Sequence, residues 1–101
     1  MQAKAFIHEN VDADLSLDDL SEAANLSKYH FVRLFRRQYG ITPHQYLINC
    51  RINAARSALE TGASLGDVVY RYGFSDLSHF NRRFKRIYGM TPKQYQSSVT
   101  A

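Results

Sequence analysis

The chain has 101 residues, 45% of them apolar and 13% aromatic, so its length fits one compact domain or two very small subdomains. The single cysteine excludes an internal disulfide. The sequence has no apolar run of the ~18 residues needed to cross a membrane, and it has no signal peptide. These features favour a soluble cytoplasmic protein. The net charge of +4 favours a polyanionic partner, and eleven of the thirteen Lys and Arg residues lie from Arg33 onward.

Seven helices are predicted in chain order, with no strand, so the expected fold class is all-α. The helices cover roughly residues 2–10, 17–24, 28–39, 43–60, 65–72, 76–88 and 92–98. In the first helix, Phe6 and Ala3 are expected to be buried. The fourth helix is long, and one stripe along it carries apolar residues at the spacings i, i+4, i+7 and i+11: Ile48, Ile52, Ala55 and Leu59.

An internal repeat covers about two thirds of the chain. The letters "YGITPHQY" from Tyr39 return 49 residues later as "YGMTPKQY" from Tyr88, and the match extends back to "SL" at residues 16 and 64. Each copy begins with Ser-x-x-Asp, a variant of the capping box that starts a helix. After that short helix, Asn25 and Gly73 occupy matching breaks, and both residue types readily take the left-handed conformation.

A second helix follows in each copy and ends at Gly40 or Gly89. Thr-Pro-x-Gln then starts the next helix, because Thr caps it, Pro suits its first turn and Gln reaches back to the cap. Two helices joined by a tight turn, written twice, predict two helix-turn-helix units in residues 1–42 and 61–101, joined by the linker helix 43–60.

The second helix of each unit has an apolar side and a basic side. The apolar sides, expected to face the core, are Phe31, Leu34, Phe35 and Tyr39 in the first copy and Phe80, Phe84, Ile87 and Tyr88 in the second. Opposite them the cations repeat in register: Arg33 with Arg82, Arg36 with Lys85, and Arg37 with Arg86. A solvated face is the alternative, but residues 28–39 hold four cations and no acid, and a solvated face has no reason to repeat its register.

This register predicts contact with nucleic acid. The candidates for phosphate contacts are Lys28, Arg36, Arg37, Lys85 and Arg86, together with His44 and Lys93 in the first turns of helices, where free N–H groups favour a phosphate. For His44 a purely structural role is an equal alternative. Earlier residues differ between the copies, Tyr29 against Ser78 and Val32 against Asn81, and they can reach base edges, so two different half-sites are expected.

With these residues in view, the chain resembles the DNA-binding domain of the AraC/XylS family of bacterial transcription regulators. The stretches "LSKYHFVRLFRRQYGITPHQYL" and "GFSDLSHFNRRFKRIYGMTPKQY" carry the resemblance, which covers nearly the whole chain. It implies seven helices, a rigid linker helix, and two helices inserted in successive major grooves of double-stranded promoter DNA. By position it implies base contacts from Tyr29, Val32, Arg33, Ser78, His79, Asn81 and Arg82.

The sequence departs from the family pattern at Ser21 and Val69, where a small Ala is usual. Val32 offers no hydrogen bond, so its readout would be apolar, for instance against a thymine methyl group. Many family members carry a separate domain for effector binding or dimerisation, and nothing in these residues resembles one. Both a stand-alone regulator and a part of a larger one remain open, and this domain itself is expected to be monomeric.

No enzyme activity, catalytic residue, cofactor or metal site is expected. His30 and His79 hold matching positions, but such positions in two units lie apart, and neither has a Cys or carboxylate at ligand spacing. The alternative function is a helical protein-interaction module that docks RNA polymerase or a partner regulator. Such a surface should expose apolar anchors, whereas the outer faces here expose cations.

Overall fold

A computed structural model describes residues 3–100; residues 1, 2 and 101, which the predicted helix 2–10 and domain 1–101 include, lie outside the described residues. The helices are α1 (Ala3–Glu9), α2 (Leu17–Ala23), α3 (Lys28–Tyr39), α4 (Pro43–Glu60), α5 (Leu65–Arg71), α6 (Leu77–Tyr88) and α7 (Pro92–Thr100). No strand occurs between residues 3 and 100, so the all-α class is confirmed, with every helix end within two residues of its prediction. No helix in this part of the chain is long and apolar enough to cross a membrane.

The chain divides into two compact units between Cys50 and Arg51, which are consecutive residues inside α4. The first unit therefore contains α1, α2, α3 and the start of α4. The second contains the rest of α4 with α5, α6 and α7. The predicted apolar stripe of α4 is buried along its whole length, so α4 contributes core residues to both units.

The core of the first unit is formed by side chains from four helices. Its buried members are Ala3, Ile7, Leu20, Phe31, Phe35 and Leu47. The prediction that Phe6 is a buried residue of α1 is wrong, since Phe6 is only partly buried and packs at the edge of this cluster. Ala3 is buried as predicted, and Ile7, one helical turn further on, faces the core in place of Phe6.

The core of the second unit repeats this arrangement. Its buried residues are Ile52, Ala55, Leu59, Val68, Tyr72, Phe74, Phe80 and Phe84. Ala55 and Leu59 have the four-residue spacing of Ala3 and Ile7. The second half of α4 therefore contributes buried side chains to the core of the second unit in the way that α1 contributes them to the core of the first. The structural repeat is thus longer than the one visible in the sequence, and each unit is a helix-turn-helix pair packed on a preceding helix.

A cation beside two tyrosine rings accompanies each of these preceding helices. Lys4 Nζ lies 4.5 Å from the centre of the Tyr39 ring and 5.2 Å from that of Tyr46. In the second unit Arg56 lies over the Tyr88 ring and donates a hydrogen bond to the Tyr95 hydroxyl at 3.3 Å. The repeated tyrosines, at the end of one helix and in the first turn of the next, therefore connect both to the preceding helix of their unit.

Caps and left-handed residues set the turns at the predicted positions. Ser16 and Asp19 form a complete capping box, in which the Ser16 N–H donates to Asp19 Oδ2 and the Asp19 N–H donates to Ser16 Oγ. The backbone N–H of Ser16, and then its side chain, hold the pKa of Asp19 below its usual value. Ser64 accepts a hydrogen bond from the Asp67 N–H in the same place of the second unit. The tight turns also match, since Asn25 has a φ of 57° and Gly73 a φ of 73°.

Candidate nucleic-acid interface

The aromatic pairs of α3 and α6 fix which side of each helix faces outward. Phe31 and Phe35 are fully buried in the first unit, and Phe80 and Phe84 are fully buried in the second. Because each pair is four residues apart, it marks one stripe, and residues half a turn away must point to solvent. The six cations that repeat in register are exposed there: Arg33, Arg36, Arg37, Arg82, Lys85 and Arg86.

Two residues expected on the inner sides are exposed instead. Leu34 is 40% exposed and Ile87 is 43% exposed, so their prediction as core residues is wrong. On each helix the buried stripe covers only positions four residues apart, such as Phe31 and Phe35. The apolar side chains spread over a wider arc of the helix than this stripe. Leu34 lies at the flank of that stripe and borders the basic face.

The first turns of α3 and α6 are capped in closely similar ways. Ser27 Oγ accepts a hydrogen bond from the His30 N–H at 3.3 Å, and Asp76 Oδ1 accepts one from the His79 N–H at 2.7 Å. The N-cap residue of α6 is therefore Asp76. The Ser75 hydroxyl contacts His79 Nδ1 at 3.4 Å instead.

The side chains that differ between the two helices lie close to these caps. Tyr29 is 68% exposed, and the Arg33 guanidinium lies 5.4 Å from the centre of its ring. Ser78 takes the position of Tyr29 in α6 and is exposed as well, so Arg82 has no such ring beside it. Val32 and Asn81 are half-buried at the margins of the two faces. The helices thus offer a common basic face with different chemistry at its start.

A shallow groove runs along each basic face. In the first unit it has a volume of about 460 Å³ and is lined by His30, Arg33, Leu34, Arg36 and Arg37. In the second unit the volume is about 180 Å³, and the lining residues are His79, Arg82, Arg83 and Arg86. The four residues of the second groove occupy the repeat positions of four residues of the first. Such positively charged grooves on equivalent helices fit a polyanion.

Four predicted phosphate contacts do not line these grooves, and one of them, Lys85, is exposed on the basic face of α6. Lys28 pairs with Asp18 of α2, with Nζ 3.2 Å from the carboxylate oxygen. His44 and Lys93 are exposed in the first turns of α4 and α7. The structure therefore brings the arginines together on α3 and α6 but leaves Lys28, His44 and Lys93 on neighbouring surfaces. Between residues 3 and 100, no three His, Cys, Asp or Glu side chains cluster as metal ligands would.

Comparison with known proteins decides the family. A family model described as "Helix-turn-helix domain" matches residues 20–98. The transcriptional regulator YbfI of Bacillus subtilis is 47% identical over 73 residues, which are 72% of this chain and 26% of that protein. The chain belongs to the AraC/XylS family of transcription regulators. It is the DNA-binding domain of that family, as the resemblance indicated.

Similar solved structures agree with this assignment. The C-terminal domain of the response regulator yesN from Fusobacterium nucleatum has a TM-score of 0.79 and 31% identity, and the match covers 93% of each chain. The DNA-binding domain of AdpA, solved in complex with a target DNA, has a TM-score of 0.86 and 30% identity, with 96% of this chain and 88% of that chain covered. The chain spans only about a quarter of the length of the curated relative YbfI.

One groove residue of this AraC-type domain was missed in the sequence. Arg83 is half-buried and lines the second groove beside Arg82 and Arg86. It was overlooked because its partner in the first copy is Leu34, so the position does not repeat as a cation. Its spacing of three residues from Arg86 was the available signal, since side chains three and four apart share one face of a helix.

Proposed function

We propose that this AraC-type domain reads double-stranded promoter DNA in bacterial transcription regulation, with α3 and α6 each entering a major groove. The observation that carries this proposal is the pair of equivalent outward basic faces, held by equivalent buried aromatics and equivalent caps. An α-helix fits the major groove of B-DNA, and the N-terminal part of such a helix meets the base edges. The similar domain of AdpA, which was solved in complex with a target DNA, supports the same partner class.

The roles of the side chains follow from their position along the helices. We assign base contacts to residues near the start of each face: Tyr29, Val32, Arg33, Ser78, His79, Asn81 and Arg82. We assign phosphate contacts to the later or flanking cations: Lys28, Arg36, Arg37, Lys85, Arg86, His44 and Lys93. Lys28 would have to exchange its ion pair with Asp18 for a phosphate, which is a small change for an exposed pair.

The connection between the units supports binding in successive grooves. α4 is one continuous helix of 18 residues, Pro43–Glu60. At about 1.5 Å per residue it is about 27 Å long, close to the ~34 Å that separates successive major-groove faces on one side of B-DNA. In this proposal residues 1–101 act as one module, with 43–60 as the linker between the two reading units.

The context of the domain is also part of the proposal. Since relatives such as YbfI are about four times longer than the matched segment, the domain would act within a larger regulator, with RNA polymerase as a further partner. Within that protein we expect this domain to bind DNA as a monomer, because it already contains two reading units. Binding to bacterial promoters would place it in the cytoplasm.

Substituting the arginines of the two faces tests the assignment. Arg33→Ala and Arg82→Ala should each cost about 1–3 kcal/mol on the preferred duplex and relax base preference at separate positions, because a bidentate arginine reads a guanine edge. Arg36→Ala and Lys85→Ala should weaken binding to the selected duplex and to each of its single-base variants by the same factor, and make the slope of log K against log salt shallower by about 0.9 each. The measurement is a binding titration on duplexes selected from a random pool and on their single-base variants, across a salt series.

The matched pair of variants makes the outcome decisive. Arg33→Ala and Arg36→Ala remove the same charge from neighbouring places on one helix. If both lowered the affinity for the selected duplex and for all of its single-base variants by the same factor, Arg33 would be a phosphate contact rather than a base reader. If the unsubstituted chain bound no duplex, the proposed function itself would be wrong.

A further inference from the structure

The two units carry very different charge. Residues 1–50 contain five Lys and Arg against six Asp and Glu, whereas residues 51–101 contain eight against three. The side chains of the first unit therefore sum to −1 and those of the second to +5. The two basic grooves look equivalent, but one belongs to a slightly acidic unit and the other to a strongly basic one.

Several cations of the first unit are already engaged within the protein. Lys28 pairs with Asp18, and Lys4 lies over the rings of Tyr39 and Tyr46. Arg33 lies over the Tyr29 ring at the start of α3. The second unit also engages some of its cations, since Arg56 pairs with Glu60 and Arg71 lies over the Tyr72 ring. The difference between the units at a distance is therefore that of their net charges, −1 and +5.

The second unit adds a cation where the first has none. Arg83 lines the groove of α6 beside Arg82 and Arg86, whereas Leu34, at the same repeat position, is an exposed apolar side chain in the groove of α3. α6 therefore carries a run of four cations in five positions, from Arg82 to Arg86. This is the strongest concentration of positive charge in the sequence.

We propose that the second unit anchors the chain on DNA of any sequence, with Arg83 as an additional phosphate contact, and that the first unit engages only where the bases match. Binding without sequence preference is almost entirely electrostatic, so it follows the unit with the excess of cations. A unit with no net positive charge gains little from the phosphates alone and needs base contacts to remain bound. This inference rests on the proposed function and adds an order of engagement to it.

Chemical-shift mapping by NMR on the whole chain tests that order. With a random-sequence duplex, the amide signals of α6 and its groove should shift while those of α3 change little. With a duplex selected from a random pool, both helices should respond. Equal perturbation of α3 and α6 by the random duplex, at both low and physiological salt, would overturn the proposed difference between the units.

A reciprocal pair of substitutions tests the role of Arg83. Arg83→Leu copies the first unit and should weaken binding to random duplex several-fold, making the slope of log K against log salt shallower by about 0.9. Leu34→Arg copies the second unit and should steepen the slope by a similar amount and bring α3 into contact with random DNA. Each substitution introduces the side chain that occupies the equivalent position of the other unit. Circular dichroism checks that each variant folds.

The possible results separate this inference from the proposed function. If the chain binds its selected duplex but Arg83→Leu leaves the affinity and salt slope on random DNA unchanged, Arg83 is not a phosphate contact and this inference is wrong, while the proposed function stands. If the chain binds neither selected nor random duplex, both are wrong.

Discussion

Gly73→Val is expected to lower thermal stability and DNA affinity together. Gly73 has a φ of 73°, in the left-handed region that β-branched residues avoid, and it forms the turn between α5 and α6. Forcing valine into that conformation should cost about 2 kcal/mol of unfolding free energy, or a fall of roughly 10 °C in melting temperature for a domain of this size. Because Phe74 donates a backbone hydrogen bond to the Val69 carbonyl across this turn, distortion would also tilt α6 and its basic face. Thermal unfolding and a titration on the selected duplex measure both effects.

Gly73→Asn is the matched control. Any Cβ at this position would lie 3.3 Å from Arg51 Nη1, so both variants must displace the end of that flexible side chain. They differ in backbone preference, because asparagine tolerates the left-handed region, as Asn25 does at the equivalent turn with a φ of 57°. The difference between the two melting temperatures therefore isolates the cost of placing valine in the left-handed backbone conformation. Equal melting temperatures would show that the turn does not depend on the left-handed conformation.

The local signals in the sequence predicted the framework well because they act within a few residues. Ser16 caps α2, Gly40 ends α3 in the left-handed region, and Asn25 takes a positive φ, all as their residue types indicated. Each of these choices depends on a hydrogen bond or a φ angle inside one turn of chain. The internal repeat then doubled the evidence, since the same signals recurred in the second unit.

The errors concern contacts between elements. A helical wheel cannot say how wide the buried stripe is, so it placed Leu34 and Ile87 in the core, although the neighbouring helices cover only the positions spaced by four. It could not show that Asp18 of α2 reaches Lys28, nor that Ile7 rather than Phe6 faces the core of the first unit. Such facts depend on which helix packs against which, and that information is not contained in the periodicity of a single segment.

The structural correspondence between α1 and the second half of α4 could not be recognised in the sequence for a related reason. Few residues recur there, Ala3 with Ala55, Lys4 with Arg56 and Ile7 with Leu59, and such pairs are too common to signal a repeat by sequence alone. Burial makes the correspondence plain, since the four apolar residues of these pairs are fully buried. The same holds for the site residues. The arginines that repeat between the two copies were predicted from the sequence, whereas Arg83, whose equivalent in the first copy is a leucine, became evident only from the groove that it lines.

Inserting five base pairs between the two half-sites should reduce binding to the level of a single unit, a loss of about a hundredfold or more. Five base pairs rotate one half-site by about half a turn, since B-DNA repeats every ~10.5 base pairs. A continuous 18-residue helix cannot follow that rotation without breaking, because each of its interior residues is held by backbone hydrogen bonds. The half-sites come from selection on a random pool, and they should form no palindrome, because Tyr29 and Val32 differ from Ser78 and Asn81. Titrations on duplexes with spacers lengthened by zero, five and ten base pairs give the affinities.

The ten-base-pair insertion separates rotation from distance. It restores the face of the duplex but adds about 34 Å, more than the ~27 Å length of α4, so recovery should stay incomplete if the linker is rigid. Scrambling each half-site in turn in the uninterrupted duplex supplies the level of binding expected when only one unit meets its own bases. Full affinity with the five-base-pair spacer would contradict the rigid arrangement. It would mean either that the two units move independently about α4 or that only one of them reads the sequence. The two scrambled duplexes distinguish these explanations. If only one unit reads the sequence, scrambling the half-site of the other unit would leave the affinity unchanged.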